Sequence, residues 1–106
     1  MPSSLEDSLA KLVEEKANDS DLDWSRYSKI SKEIVVFGSR AQNLATKRSD
    51  IDILVVGENS FRTRERFGDI DLVSISPQEV NMERWLTSEL AGHVGKYGIW
   101  LKGEGN

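Results

Sequence analysis

Residues 35–41, Val-Val-Phe-Gly-Ser-Arg-Ala, and residues 49–57, Ser-Asp-Ile-Asp-Ile-Leu-Val-Val-Gly, decide the fold of this chain. Both contain an apolar strand, and a Gly-Ser turn followed by a short helical connector lies between the two strands. The second strand begins with Asp50 and Asp52, which are two residues apart and therefore point to one face of a sheet. Two neighbouring anions on a mostly buried strand repel each other and resist desolvation. A divalent metal ion near the start of this strand would stabilise both.

The size and charge of the chain limit the classes of function. The 106 residues suit one small domain, and we interpret residues 1–106 as a single domain. A formal net charge of -4 argues against a broad nucleic-acid-binding face. No apolar run approaches the ~18 residues that a membrane span needs, and residues 1–7 lack the basic and apolar regions of a secretion signal. Zero cysteines fit a cytoplasmic protein, which is the location we expect. From the net charge and the lack of a long apolar run, we expect neither a nucleic-acid nor a membrane partner.

The hydrophobic pattern predicts the order of helices and strands. Helical spacing of leucines predicts an N-terminal helix over 3–17, and Trp24, Tyr27 and Ile30 indicate a short helix after it. Three strands are expected, over 33–37, 50–56 and 69–75. Ser76-Pro77 begins a C-terminal helix that we expect to end at about residue 91, where Gly92 and Gly95 interrupt it. Residues 98–102 are interpreted either as a short edge strand or as an apolar tail that packs on the sheet. This order predicts an α/β (α+β) fold with a small mixed β-sheet and covering helices.

The polar segment 58–68 contains a basic cluster, Arg62, Arg64 and Arg66, in an otherwise acidic protein. We interpret this segment as an exposed loop, and the alternative is a contact with a triphosphate or with a partner. The single histidine, His93, is interpreted as a surface or helix-end residue.

The turn at Gly38-Ser39 is a candidate phosphate site. A turn between a strand and a helical segment offers backbone N–H groups, and here also the Ser39 hydroxyl, to phosphate oxygens. Arg40 follows directly and is a candidate for a further phosphate contact. Gly-Ser pairs are common in turns, so the evidence comes from the carboxylates that follow at a short distance along the chain.

A third strand repeats the Asp-hydrophobic-Asp pattern with Asp69 and Asp71. If the strands are adjacent, Asp71 joins Asp50 and Asp52 in a cluster of three carboxylates at the same end of the sheet as the turn. Oxygen ligands of this kind suit Mg²⁺, which takes further ligands from water and substrate phosphates. Asp69 shares a face with Asp71 and is the rival for the third position. We prefer Asp71 because apolar strand residues surround it.

The combined pattern resembles the signature of a known superfamily. Residues 38–41 (GSRA), 49–55 (SDIDILV) and 70–73 (IDLV) are similar to the motifs of polymerase-beta-like nucleotidyltransferases, and above all of the small prokaryotic members called minimal nucleotidyltransferases. The resemblance covers about residues 34–75. Family members often carry Arg-Gly where this chain has Gln42-Asn43, which is a departure in the connector.

The resemblance implies a nucleotidyltransferase fold and a role for each motif residue. Gly38 and Ser39 would contact the β- and γ-phosphates of a nucleoside triphosphate. Asp50 and Asp52 would ligate Mg²⁺, while Asp71 would complete a second metal site and help deprotonate an incoming hydroxyl. Two metal ions can stabilise the attacking and leaving oxygens of an in-line displacement at the α-phosphate.

The implied activity is metal-dependent transfer of a nucleoside monophosphate, AMP from ATP as the expected case, to an acceptor hydroxyl. Because the chain holds little beyond the catalytic core, we expect a protein partner to present the acceptor, or the chain to form a homo-oligomer. The resemblance suggests a HEPN-type toxin as this partner. The alternative is a non-catalytic or weakly catalytic antitoxin, a binding module that sequesters its partner.

Overall fold

The computed structural model of the chain describes residues 4–38, 41, 50–57, 63–82 and 86–103. Within these ranges it contains four helices: α1 (Ser4–Asn18), α2 (Trp24–Ile30), α3 (Pro77–Val80) and α4 (Glu89–Tyr97). The same ranges contain five strands: β1 (Glu33–Phe37), β2 (Ile51–Val56), β3 (Thr63–Phe67), β4 (Ile70–Ile75) and β5 (Ile99–Lys102). None of the helices in these ranges has the length and apolar character that crossing a bilayer requires.

The five strands form one mixed sheet in the order β3-β4-β2-β1-β5. The central strands β2 and β4 are parallel, and every other neighbouring pair is antiparallel. Helices and strands therefore combine as the apolar pattern predicts, and the fold class, a small mixed sheet with covering helices, is confirmed. The antiparallel β1–β2 pair brings the end of β1 to the start of β2, because Phe37 lies opposite Asp52.

Each face of the sheet has its own core. Along β2, Ile51, Ile53 and Val55 are buried against α1 and α2, while Leu54 and Val56 are buried on the face that α4 covers. Side chains alternate between faces along a strand. Asp52 therefore shares the α4 face with Leu54 and Val56. This alternation determines which helix can reach the carboxylates.

The predicted helix over 77–91 is wrong in its extent. The structure has α3, which ends at Val80, and a separate helix α4 that begins after Ser88 and runs through Gly92 and Gly95. Ser88 Oγ accepts a hydrogen bond from the N–H of Ala91, so it is an N-cap that starts a new helix. Both glycines have open space around them, and a helix tolerates exposed glycine at a modest cost.

The expected loop over 58–68 is also wrong in part, because residues 63–67 form β3. This strand pairs with β4 in an antiparallel ladder at the edge of the sheet. A tight hairpin joins the two strands, with Phe67 opposite Ile70 and Gly68 at a φ of 58°. Its side chains are largely exposed, so β3 lacks the apolar alternation by which the other strands were predicted.

Candidate functional site

Three neighbouring strands place Gly38, Asp52 and Asp71 at the same end of the sheet. Gly38 follows the last residue of β1, Asp52 is the second residue of β2, and Asp71 is the second residue of β4. Asp52 lies directly opposite Asp71 in the parallel β2–β4 register. Strand neighbours are about 4.8 Å apart, so these two carboxylates start from adjacent backbone positions. Asp50 precedes β2 by one residue and lies at the same end.

Gly38 is in contact with the carboxylate of Asp52. It has a φ of 75°, and a Cβ at this position would overlap Asp52 Oδ2 and lie 3.2 Å from its Cγ. Only glycine adopts this backbone conformation without strain and leaves room for the carboxylate. The glycine turn and the carboxylate cluster are therefore parts of one site. Ser39 and Arg40, the other predicted phosphate contacts, lie outside the described residues, so their roles stay predictions.

His93 belongs to the same site, which the sequence reasoning missed. The backbone N–H of Gly38 donates a hydrogen bond to His93 Nε2 at 3.2 Å. The imidazole is half-buried, and it meets the Phe37 ring edge-on with a centroid separation of 6.2 Å. An accepting Nε2 implies that the neutral ring carries its proton on Nδ1. The interpretation as a surface or helix-end residue is thus wrong, since His93 lies within α4 and faces the sheet.

Two arginines of β3 complete the site. Arg64 donates from Nε to Asp71 Oδ1 at 3.0 Å and from Nη2 to Asp71 Oδ2 at 2.5 Å. Arg66 donates from Nη1 to Asp50 Oδ2 at 3.1 Å and from Nη2 to Asp50 Oδ1 at 2.7 Å. Both are bidentate pairs, the strongest form of an arginine–carboxylate contact. Arg64 and Arg66 of the basic cluster therefore contact the carboxylates directly, whereas Arg62 lies outside the described residues. The spacing of two residues between Arg64 and Arg66 is that of a strand, and the interpretation of this segment as a loop overlooked it.

The two arginines pair with Asp71 and Asp50 rather than with Asp52. Arg64 holds the pKa of Asp71 below its usual range through the hydrogen-bonded ion pair. Burial raises the pKa of Asp52, and the nearby charges of Asp71 and Asp50 raise it further. Within the described part of the chain, Asp52 has neither a hydrogen bond nor an ion pair to its carboxylate. A cation bound at Asp52 would therefore be stabilised by this carboxylate.

Asp69, the rival for the third carboxylate, has a different partner. Its Oδ2 accepts from Lys16 Nζ at 3.1 Å, and its side chain is 57% exposed. Lys16 belongs to α1, which covers the opposite face of the sheet from α4. Asp71 is the one that lies opposite Asp52 in the sheet, so we keep Asp71 in the candidate site.

The donor chemistry of these residues fits a hard divalent cation. Asp50, Asp52 and Asp71 supply carboxylate oxygens, which Mg²⁺ prefers, and Asp52 carries a charge that such an ion would neutralise. Over residues 4–38, 41, 50–57, 63–82 and 86–103, however, no three acidic or histidine side chains converge closely enough to hold a metal ion. Asp50 and Asp71 are instead turned towards Arg66 and Arg64, which contact both oxygens of each carboxylate.

Comparison with known proteins assigns the chain to a family. A search of curated proteins found no match. The family model described as "Nucleotidyltransferase domain" matches residues 21–97, which extend from the turn before α2 to the end of α4. The matched region contains Gly38, the three carboxylates and His93, whereas α1 and β5 lie outside it. The chain therefore belongs to the nucleotidyltransferase domain family, within the polymerase-beta-like superfamily whose motifs it carries.

Proposed function

We propose that this protein is a Mg²⁺-dependent nucleotidyltransferase that transfers AMP from ATP to an acceptor hydroxyl and releases pyrophosphate. The observation that supports the proposal best is the contact between Gly38 and Asp52, with Asp71 opposite Asp52 on the next strand. A metal-bound phosphate between the turn and the carboxylates would use both, since backbone N–H groups suit phosphate oxygens and carboxylates suit Mg²⁺.

Each residue has a role on the donor side of the transfer. Asp50, Asp52 and Asp71 are the proposed ligands of Mg²⁺, which, when bound, stabilises the charge on the attacking and leaving oxygens. Gly38 allows phosphate oxygens to approach the backbone closely, since it has no side chain. His93 accepts the Gly38 N–H and thereby fixes the turn beside Asp52.

The reaction balances without a further reactant. The acceptor oxygen forms a bond to the α-phosphorus of ATP, the bond from that phosphorus to the bridging oxygen breaks, and pyrophosphate leaves with the electron pair. Asp71 is the carboxylate that we assign to the proton of the acceptor hydroxyl. Its strand lies between β2 and β3, on the side of Asp52 away from Gly38. We therefore expect the acceptor to approach from the β3 side and the triphosphate from the β1 side.

The acceptor is proposed to be a hydroxyl on a partner protein in the cytoplasm. The partner that the minimal nucleotidyltransferase resemblance suggests is a HEPN-type toxin, with this chain as the antitoxin. Two labelled forms of ATP test the chemistry, with the proposed partner or tyrosine- and serine-containing peptides as acceptors.

ATP labelled at the α-phosphate should transfer its label to the acceptor, and ATP labelled at the γ-phosphate should release labelled pyrophosphate. Chelation of Mg²⁺ or Asp52→Asn should abolish both products, while the control Arg26→Gln, on α2, should not. Label from the γ-phosphate on the acceptor would show phosphoryl transfer and overturn the proposal. Binding of Mg-ATP without any transfer would instead favour the sequestering module.

A further inference from the structure

The β3 arginines occupy the oxygens that the proposed metal site needs. Arg64 contacts both carboxylate oxygens of Asp71, and Arg66 contacts both carboxylate oxygens of Asp50. A carboxylate that is held by a guanidinium fork keeps only its outer lone pairs for a divalent ion, and an ion bound there lies close to the guanidinium charge, which repels it. The ion pairs therefore oppose metal binding at the same carboxylates.

The position of the arginines makes this exchange inexpensive. The Arg64 and Arg66 side chains are 72% and 57% exposed, so both can leave the carboxylates for water without opening the core. They are two residues apart on an edge strand and share one face, while Phe67 packs against the core below the other face. The strand can thus stay in place while its two guanidinium groups move.

We propose that Arg64 and Arg66 are positioning residues that hold Asp71 and Asp50 in the metal-free protein and compete directly with the divalent metal for them. The inference rests on the proposed metal-dependent function. Three carboxylates and two guanidinium groups leave one net negative charge in the cluster, centred on Asp52. A divalent ion attracted to Asp52 displaces the arginines as it gains the neighbouring oxygens. The pairs prevent the carboxylates from repelling each other before the metal arrives.

The order of the strands in the sheet places the two arginines away from the turn at Gly38. Gly38 adjoins Asp52 from β1, whereas the arginines reach the cluster from β3, with two strands between them. We therefore expect the contact between Gly38 and Asp52 to persist when the arginines are replaced. This separation makes it possible to change metal affinity without disturbing the proposed phosphate turn.

The test measures Mn²⁺ binding without nucleotide, by the loss of the free-ion electron paramagnetic resonance signal. The double variant Arg64→Gln/Arg66→Gln removes both cations, and the control Arg26→Gln/Lys29→Gln removes two exposed cations from α2 on the opposite face. We expect the first variant to bind Mn²⁺ roughly tenfold more tightly than the wild type. The control should change affinity by less than about twofold, because screening weakens distant charges.

Competition predicts opposite changes in two measurements of the double variant: its metal-free stability falls while its Mn²⁺ affinity rises. A merely structural role would not raise the affinity. Without metal, the double variant should have a lower thermal unfolding midpoint than the wild type, since its carboxylates repel each other. Added Mn²⁺ should raise the midpoint of the double variant by more than it raises that of the wild type. Should the double variant not fold, Arg64→Lys alone keeps the charge but cannot form the bidentate pair, and it should bind Mn²⁺ more tightly than wild type by a smaller factor.

Two results would overturn the proposal in distinguishable ways. Wild-type protein that binds Mn²⁺ while the arginine variants bind it equally or more weakly would exclude competition and leave the proposed function standing. Failure of the wild type and all variants to bind Mn²⁺, alone or with ATP, would overturn both the competition and the proposed function.

Discussion

Substitution of Gly38 by alanine is the sharpest probe of the contact between the turn and the carboxylates. At a φ of 75° an alanine is strained, and its Cβ would overlap Asp52 Oδ2. The left-handed conformation costs about 1–2 kcal/mol for a residue with a Cβ. Displacement of the neighbouring carboxylate adds about 1–2 kcal/mol, in the range of ordinary overpacking. We therefore expect Gly38→Ala to lower the free energy of unfolding by about 3 kcal/mol.

Thermal unfolding followed by circular dichroism measures this loss. For a domain of this size, 1 kcal/mol corresponds to a shift in the midpoint of about 4–8 °C, so Gly38→Ala should unfold roughly 12–24 °C below the wild type. The matched control is Gly95→Ala, which lies in α4 with open space around the glycine. It should be neutral or more stable by up to ~1 kcal/mol, because alanine favours a helix over glycine.

The affinity of Gly38→Ala for Mn²⁺ tests whether the same contact matters for metal binding. Since the new methyl group must push Asp52 out of its place, Gly38→Ala should bind the metal more weakly, whereas Gly95→Ala should bind it as the wild type does. A Gly38→Ala protein with unchanged stability and metal affinity would refute the contact between the turn and the carboxylate.

Two further substitutions test the hydrogen bond and the electrostatics of the site. His93→Ala removes the acceptor of the Gly38 N–H and should lower the free energy of unfolding by about 1 kcal/mol, as measured by urea denaturation. His93→Gln offers an oxygen acceptor and should recover part of this loss. Equal free energies of unfolding for both variants would exclude the hydrogen bond. Asp52→Asn should make the metal-free protein more stable at pH 7, because burial and the acidic neighbours raise the native pKa of Asp52 above its ordinary value. Between the ordinary pKa and the raised pKa the native state binds more protons than the unfolded state, so wild-type stability falls as the pH rises through this window. The difference in the free energy of unfolding between wild type and Asp52→Asn, measured by urea denaturation, should therefore grow as the pH rises through the same window; a pH-independent difference would contradict the raised pKa.

The central strands and their carboxylates could be predicted from sequence for a physical reason. A strand buried on both faces, such as β2, needs a continuous apolar run, and acidic residues at its start stand out against that run. The same reasoning placed Asp71 in the cluster on the condition that its strand is adjacent, and the parallel pairing of β2 and β4, which aligns their like ends, puts Asp71 opposite Asp52. Gly38 could be assigned to a turn, but its contact with Asp52 depends on the antiparallel register of β1 and β2.

The arginines and the histidine of the site required the three-dimensional structure. β3 is an exposed edge strand, so its residues carry no apolar period, and Arg64 and Arg66 looked like loop residues. Its tight hairpin with β4 was the local signal, since Gly68 is one of only two residues between the strands. His93 was missed because Gly92 and Gly95 were expected to end a helix. Packing of Val94 against the sheet instead keeps α4 helical through both glycines.

Calorimetric titration with α,β-methylene-ATP, which resists transfer at the α-phosphate, tests the central claim most directly. We predict that the wild-type protein binds this nucleotide in the presence of Mg²⁺ and does not bind it after chelation. The variant Asp50→Ala/Asp52→Ala, shown to be folded by circular dichroism, should not bind it under either condition. Nucleotide binding that is the same with and without Mg²⁺, or the same in the variant as in the wild type, would contradict the assignment of these carboxylates to a metal–nucleotide site.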